Sequence, residues 1–284
     1  MKIQFQILLV LFISFTLASC LPEALPTDVE QAESKLVISS QIIPNNIMVI
    51  TVSRSFSALE GNQNQDDIDQ YLVKNAIVVM TYNGTTDTFL SREDAPGLYF
   101  STFRLEKENE QFNLSVFDPK TNETVTSTST MLPRINLETV QIEAKPTQSL
   151  LDTVYNLTAS FTDASINNWY VLNIINPNEV GNESVFSLDG QTTTYSILVS
   201  DKLYNTNRIE IQEEIVGYNM PDTALVMFSN ISEDYFRYLD ARRRGGSILA
   251  SLTGEPVNHP SNVVGGYGYF NTHNPSLIQV IVKK

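Results

Sequence analysis

Few residues of this sequence could do covalent chemistry, and the most distinctive is a thiol. Cys20 is the only cysteine among 284 residues, and it closes the run Leu17-Ala18-Ser19-Cys20 behind a short apolar stretch that starts after Lys2. A basic residue, a greasy segment and small residues at a cut point make a secretory leader. A cysteine directly behind the cut is the bacterial lipoprotein signature: its sulfur takes a diacylglycerol, the leader is removed before Cys20, and the freed amine accepts a fatty acyl group such as palmitate. Each buried methylene contributes roughly 0.8 kcal/mol, and two or more chains hold a protein stably on a bilayer. A sole cysteine can make no intramolecular disulfide. Two rival readings remain. One is a transmembrane span, for which Ile7 to Leu17 supplies only about half of the roughly 20 apolar residues needed. The other is an ordinary cleaved leader that leaves a free thiol.

The remaining reactive side chains do not assemble into a site. Acyl transfer needs a nucleophile, a base and an orienting group. The two histidines, His259 ahead of Pro260 and His273, stand in no nucleophile motif, and no G-x-S-x-G occurs. Two separated histidines also fall short of zinc-ligand spacing. With 32 acidic residues, carboxylate pairs suited to glycoside hydrolysis arise without meaning. The run Asn62-Gln63-Asn64-Gln65-Asp66-Asp67-Ile68-Asp69 alternates oxygen donors, but Asp67 stands where a calcium loop needs glycine and Val73 where it needs a bidentate acid. It reads as a solvated loop. The expectation is a protein without catalytic residues, metal or cofactor, with a hydrolase as the last choice. Trp169, the lone tryptophan, lies with Tyr170 in an apolar run. A sandwich core would bury the indole, whereas a binding platform would expose it.

Around these residues the chain is 42% hydrophobic with only 18% charged residues, a globular composition. Its net charge is −14, and −15 once Lys2 leaves with the leader, because 17 basic residues then face 32 acidic ones. Nucleic acid and anionic membrane surfaces recruit basic patches. No nucleic-acid partner is expected, and attachment to a membrane must come from lipid. Residues 1–19 read as leader and 20–35 as an acidic flexible tether, with Pro22, Pro26, Asp28, Glu30 and Glu33 and little apolar surface. From Leu36, short β-branched and aromatic runs divided by turn residues predict all-β structure. Seven strands are expected over 36–133, including a hairpin at Asn83-Gly84, which is the size of an immunoglobulin-like or transthyretin-like sandwich. Pro133 would interrupt a ladder, so a second β-rich domain is placed over 134–284, closed by a strand at Leu277 to Val282. One helix is expected at about 232–244. Ser232 can cap it, Glu233 and Asp234 suit its positive end, and Arg242-Arg243-Arg244 suit its negative end. The arginines read first as dipole compensation and second as a binding patch. The expected fold class is mainly β: two β-sandwich-like domains with one short helix near the C-terminus.

The tail Pro256-Val257-Asn258-His259-Pro260-Ser261-Asn262-Val263-Val264-Gly265-Gly266-Tyr267-Gly268-Tyr269-Phe270 is the second distinctive stretch. Taken with Ile231-Ser232-Glu233-Asp234-Tyr235-Phe236-Arg237-Tyr238-Leu239, Phe161-Thr162-Asp163 and Trp169-Tyr170, it resembles the domain of unknown function 4249 family over essentially the whole mature chain. That resemblance implies a lipid-anchored outer-membrane protein of the Bacteroidota, commonly encoded beside TonB-dependent receptors and with no established activity. The expected function is therefore an accessory or binding lipoprotein that partners such a receptor in nutrient uptake, on the cell surface or the periplasmic face. The alternative is a surface adhesin or display protein. The acidic residues behind Cys20 are similar to the export signals of surface lipoproteins in those bacteria. Glycines 265, 266 and 268 permit positive φ or close backbone approach, while Tyr267 and Tyr269 offer area with polar tips. The segment reads first as a strand-threading device and second, with Trp169, as a ligand or partner contact. Asp152-Thr153-Val154 and Asp222-Thr223-Ala224 resemble the O-glycosylation motif of the same bacteria, which makes Thr153 and Thr223 candidate modification sites.

Overall fold

The structure, a computed structural model, describes residues 33–56, 69–102, 108–145, 154–163, 167–177, 194–204, 206–218, 220–245 and 259–283. Cys20 with its leader, the tether up to residue 32, the oxygen-rich run 62–68 and Thr153 lie outside the described residues.

Seven strands follow in order where alternation predicts them: β1 (Leu36–Ile42), β2 (Met48–Arg54), β3 (Ile77–Tyr82), β4 (Thr85–Arg92), β5 (Ala95–Ser101), β6 (Gln111–Asp118) and β7 (Glu123–Thr130). Asn83 and Gly84 take φ of 44° and 73° between β3 and β4, the left-handed pair a tight hairpin requires. Ala95-Pro96-Gly97, turn-forming residues by type, are the first residues of β5. Pro96 has no N–H for a ladder and Gly97 turns through φ 76°, so the β4–β5 register shifts between Ser91 and Arg92.

These strands build one sheet with two late additions, β14 (Val263–Val264) and β15 (Tyr267–Thr272), in the order β14-β7-β6-β3-β4-β5-β2-β1-β15. Side chains from both halves of that order, such as Val78, Met80 and Val116 with Ile38, Ile50 and Val52, fill a single core. The sheet therefore folds over on itself as a sandwich. Its ends are joined as well, since β14 and β15 are separated only by Gly265-Gly266. At one rim, Arg54 of β2 reaches across to Asp118 of β6 at 2.7 Å and Glu123 of β7 at 2.6 Å.

Beyond Pro133 a second core begins. Strands β8 (Thr139–Lys145), β9 (Val154–Thr162) and β12 (Arg208–Val216) form one sheet, and β10 (Trp169–Ile175), β11 (Thr194–Ser200), β13 (Thr223–Ile231) and β16 (Ser276–Ile281) form another. The two share a core in which Leu157, Phe161 and Ile211 meet Tyr170, Leu172, Val226 and Phe228. Three strands facing four is an immunoglobulin-like arrangement. Phe161 packs 4.6 Å from Phe228 and 4.7 Å from Tyr170, ring centre to ring centre. The protein is thus mainly β and built of sandwich-like sheets.

The link from β13 to β16 is a long excursion. It passes through helix α1 (Glu233–Gly245), then β14 and β15, before returning as β16. Residues 263–272, which the sequence division at Pro133 groups with the second domain, thus lie in the first sheet, and Ser34–Lys284 form one compact unit. Ser232 starts α1: its hydroxyl accepts from Tyr235 N at 3.2 Å and its carbonyl from Phe236 N at 3.0 Å. At the other end Arg243 and Arg244 pair with Asp240, while Arg242 lies over the Tyr238 ring. Among the described residues no helix is long and apolar enough to cross a membrane.

Candidate functional site

The glycine-aromatic tail acts first on the backbone. β15 runs parallel to β1 with Gly268 opposite Ile38. Gly268 holds φ 96°, and a Cβ built on it would stand 1.9 Å from the Ile38 carbonyl oxygen. Only glycine fits there. Asn262 stitches the same strand to β7: its Nδ2 donates to Phe270 O at 2.7 Å and Thr128 O at 3.1 Å, while its Oδ1 accepts from Phe270 N at 2.9 Å. An asparagine side chain thus supplies the bonds that a ladder residue would, and the Ser129 and Thr272 hydroxyls meet at 3.0 Å beside it.

Alternation along β15 sends Phe270 into the first core and Tyr267, Tyr269 and Asn271 to the opposite face. Tyr269 is buried, 5.0 Å from Tyr235 and 4.9 Å from Tyr238 of α1. Val171, Ile231 and, at the margin, Trp169 and Leu198 complete this seam under the helix. Burial pushes the Tyr269 phenol up to about 12; Asp234 and Tyr238 add to that, and a hydrogen bond with Ser232 opposes it. Burial likewise raises the Tyr235 phenol. Both phenols stay protonated at neutral pH, so the seam is packing rather than acid–base machinery.

The three aromatic candidates therefore divide. Tyr269 is a packing residue. Trp169 is half-buried, with the Lys202 ammonium 4.8 Å above its ring, an arrangement that covers one face of the indole. Tyr267 is 46% exposed, next to Val264 at 71%, and has Lys35 5.5 Å over its ring. The structure brings Trp169 and Tyr269 into one seam and leaves Tyr267 at the surface. Thr223 is the half-buried first residue of β13, paired with Ile281.

His273, just after β15, is 1% exposed, and neither ring nitrogen has a hydrogen-bond partner among the described residues. Burial pushes its pKa down to about 4, so the ring is neutral near pH 7. His259 is exposed. Among the described residues no three His, Cys, Asp or Glu side chains gather as metal ligands. Two features escaped the sequence reading. Arg54 bridges strands far apart in sequence, and nothing local marks it. Asn262 sits in the distinctive tail, but one of its side-chain bonds reaches Thr128, 134 positions away.

A family model described as Domain of unknown function (DUF4249) matches residues 23–277. A comparison with curated proteins returns no match. Among solved structures, the crystal structure of the FN1-FN3 domains of chicken CNTN1 is 10% identical, with 88% of this chain and 67% of that one covered and a TM-score of 0.25.

Proposed function

The chain belongs to the DUF4249 family, and from that premise we propose that it is a lipid-anchored accessory protein of the outer membrane, binding rather than catalytic, that works beside a TonB-dependent receptor in nutrient uptake. The observation that carries this reading is Cys20, the sole cysteine, placed directly behind Leu17-Ala18-Ser19. The family match begins at residue 23, which agrees with a processed leader in front of the family body. The stretch 21–33 can span at most about 45 Å when extended, at roughly 3.5 Å per residue, so the sandwiches stay close to the bilayer. Tyr267 pairs with Val37, three residues beyond Ser34. The exposed Val264 and Tyr267 are thus at the rim where the tether arrives, a place suited to a partner that is itself in the membrane. Confinement to one surface raises the effective concentration of the two proteins, so a small contact suffices.

The test is purification of the full chain from its native membrane. Mass spectrometry of the N-terminal peptide should find a lipid thioether on Cys20, and a β-barrel receptor should accompany the protein through mild detergent. Cys20→Ala should release the protein into the soluble fraction. Val264→Ser with Tyr267→Ser should keep it in the membrane and lose the barrel. An intact leader or a bare thiol would overturn the anchorage. A lipidated protein that never retains a barrel, in cells that lose surface attachment on deletion, would favour the adhesin reading instead.

A further inference from the structure

One end of the seven-stranded sandwich gathers acidic oxygen atoms that its nearby cations leave to themselves: Lys202 turns to Trp169 and Glu233, and Arg208 to Glu138. There β9 leaves at Thr162, β10 enters at Trp169, β11 leaves at Ser200 and β13 ends at Ile231. Tyr170 lies opposite Val199 on one side and Asn230 on the other, so the Asn230 side chain flanks Tyr170 on the inner face. One residue earlier, Asn168 pairs with Asp201: Asn168 N donates to Asp201 Oδ2 at 2.7 Å, and Asp201 N donates to Asn168 O at 3.2 Å. From β9, Asp163 Oδ1 accepts from Asn168 Nδ2 at 2.9 Å and from the Tyr170 hydroxyl. Two carboxylates thus share one asparagine. Burial raises the Tyr170 phenol first, and Asp163 and then Asp201 raise it further.

No Lys, Arg or His forms an ion pair with Asp163 or Asp201 among the described residues. Lys202, the nearest in sequence, turns to the Trp169 ring and to Glu233 at 3.9 Å. Two atoms at this end are buried without a partner, and both are acceptors: Asp201 Oδ1 and Asn230 Oδ1, on residues 7% and 8% exposed. A buried acceptor needs a donor or a cation. A water would satisfy a hydrogen bond but leave two carboxylates uncompensated. We propose that a divalent cation of the calcium class binds here, held by Asp201 Oδ1, Asn230 Oδ1 and the Asp163 carboxylate, with Tyr170 and Asn168 orienting the acids. Calcium accepts six to eight oxygens in flexible geometry, so waters complete the shell, and two carboxylates with a neutral amide give an affinity of roughly 10⁻⁴ to 10⁻³ M, as in extracellular modules. The ion would tie the ends of β9, β10 and β11 to β13 at the point where the chain turns into α1. This inference does not depend on lipid anchorage.

Terbium, a calcium mimic that emits when energy reaches it from a nearby Tyr or Trp, tests it on the full chain. Excitation of Tyr170 and Trp169 should give saturable terbium emission that calcium displaces. Asp201→Asn and Asp163→Asn should each weaken the emission at least tenfold, while Asp94→Asn, an exposed acid paired with Arg92, should leave it unchanged. Millimolar calcium should raise the melting temperature of the unaltered chain by about 3 °C. Terbium emission that both substitutions leave intact would overturn the site. So would a melting temperature indifferent to calcium, a measurement that stands even if the substituted chains fail to fold.

Discussion

The two sandwiches treat charge at their rims in opposite ways. In the nine-stranded sheet, Arg54 is met by Asp118, whose side chain is 3% exposed, and by the half-exposed Glu123. Burial pushes the Asp118 carboxyl up, and hydrogen bonds from Arg54, Lys120 N and Thr121 outweigh it, leaving the group below its ordinary value. In the seven-stranded sandwich, Asp163 and Asp201 face a phenol and an asparagine, and among the described residues no cation pairs with them. The first rim is complete in itself; the second is complete only with something added. A buried ion pair is expensive to break and of little net worth to form, so the first rim fixes register between distant strands. The second has chemistry left over.

The sharpest way to break the comparison is to unseat β15, which belongs to the first sheet but hangs from the second sandwich. Gly268→Val places a branched side chain against the Ile38 backbone at a φ of 96°, and should destabilise the protein by about 4 kcal/mol or more. Urea unfolding should show the midpoint falling for both sandwiches together. Arg54→Ala comes next. It strands the buried Asp118 carboxylate and should cost about 3 kcal/mol, measured by the same unfolding. That cost should shrink as the pH falls below about 4. The Asp118 pKa is depressed by folding, so its contribution is present above the unfolded value and lost as the pH drops through the folded one.

The smallest effect concerns His273, at the junction of β15 and β16. Its folded pKa of about 4 lies under the ordinary 6.5, so the unfolded chain binds more protons between those values and stability rises with pH there. Lowering the pH from 7 to 5 is therefore not neutral for the fold: it should remove about 2 kcal/mol, and His273→Gln should abolish that part of the slope. A pH profile unchanged by the substitution would place the acid sensitivity elsewhere.

Among the described residues, fourteen of the sixteen strands follow runs that can be read from β-branched and aromatic residues between turns, because such runs are a local signal. Asn83-Gly84 and Ser232 are equally local signals, and the hairpin and helix stand where those residues put them. β14 and β15 were not legible. Tyr267-Gly268-Tyr269-Phe270-Asn271-Thr272 does not alternate cleanly, and its glycine makes sense only beside Ile38, 230 positions earlier. The tail was recognisable as a distinctive stretch, but its division into a packing tyrosine and a surface tyrosine required the helix above it. Asp163 and Asp201 were invisible as a pair for the same reason. Thirty-two acids offer many pairings, and only the β10–β11 register, with the end of β9 packed against it, selects this one.

The parallel pairing of β1 with β15 also sets the order in which the molecule can be completed. A chain is synthesised from its N-terminus, so β1 is made well over 200 residues before β15, its parallel neighbour. Until residues 262–272 emerge, one flank of β1 offers unbonded amides and carbonyls, an open template for any passing strand. Such long-range closure is slow, and a nascent copy is accordingly vulnerable to wrong pairing at β1 throughout the interval in which the intervening residues are made.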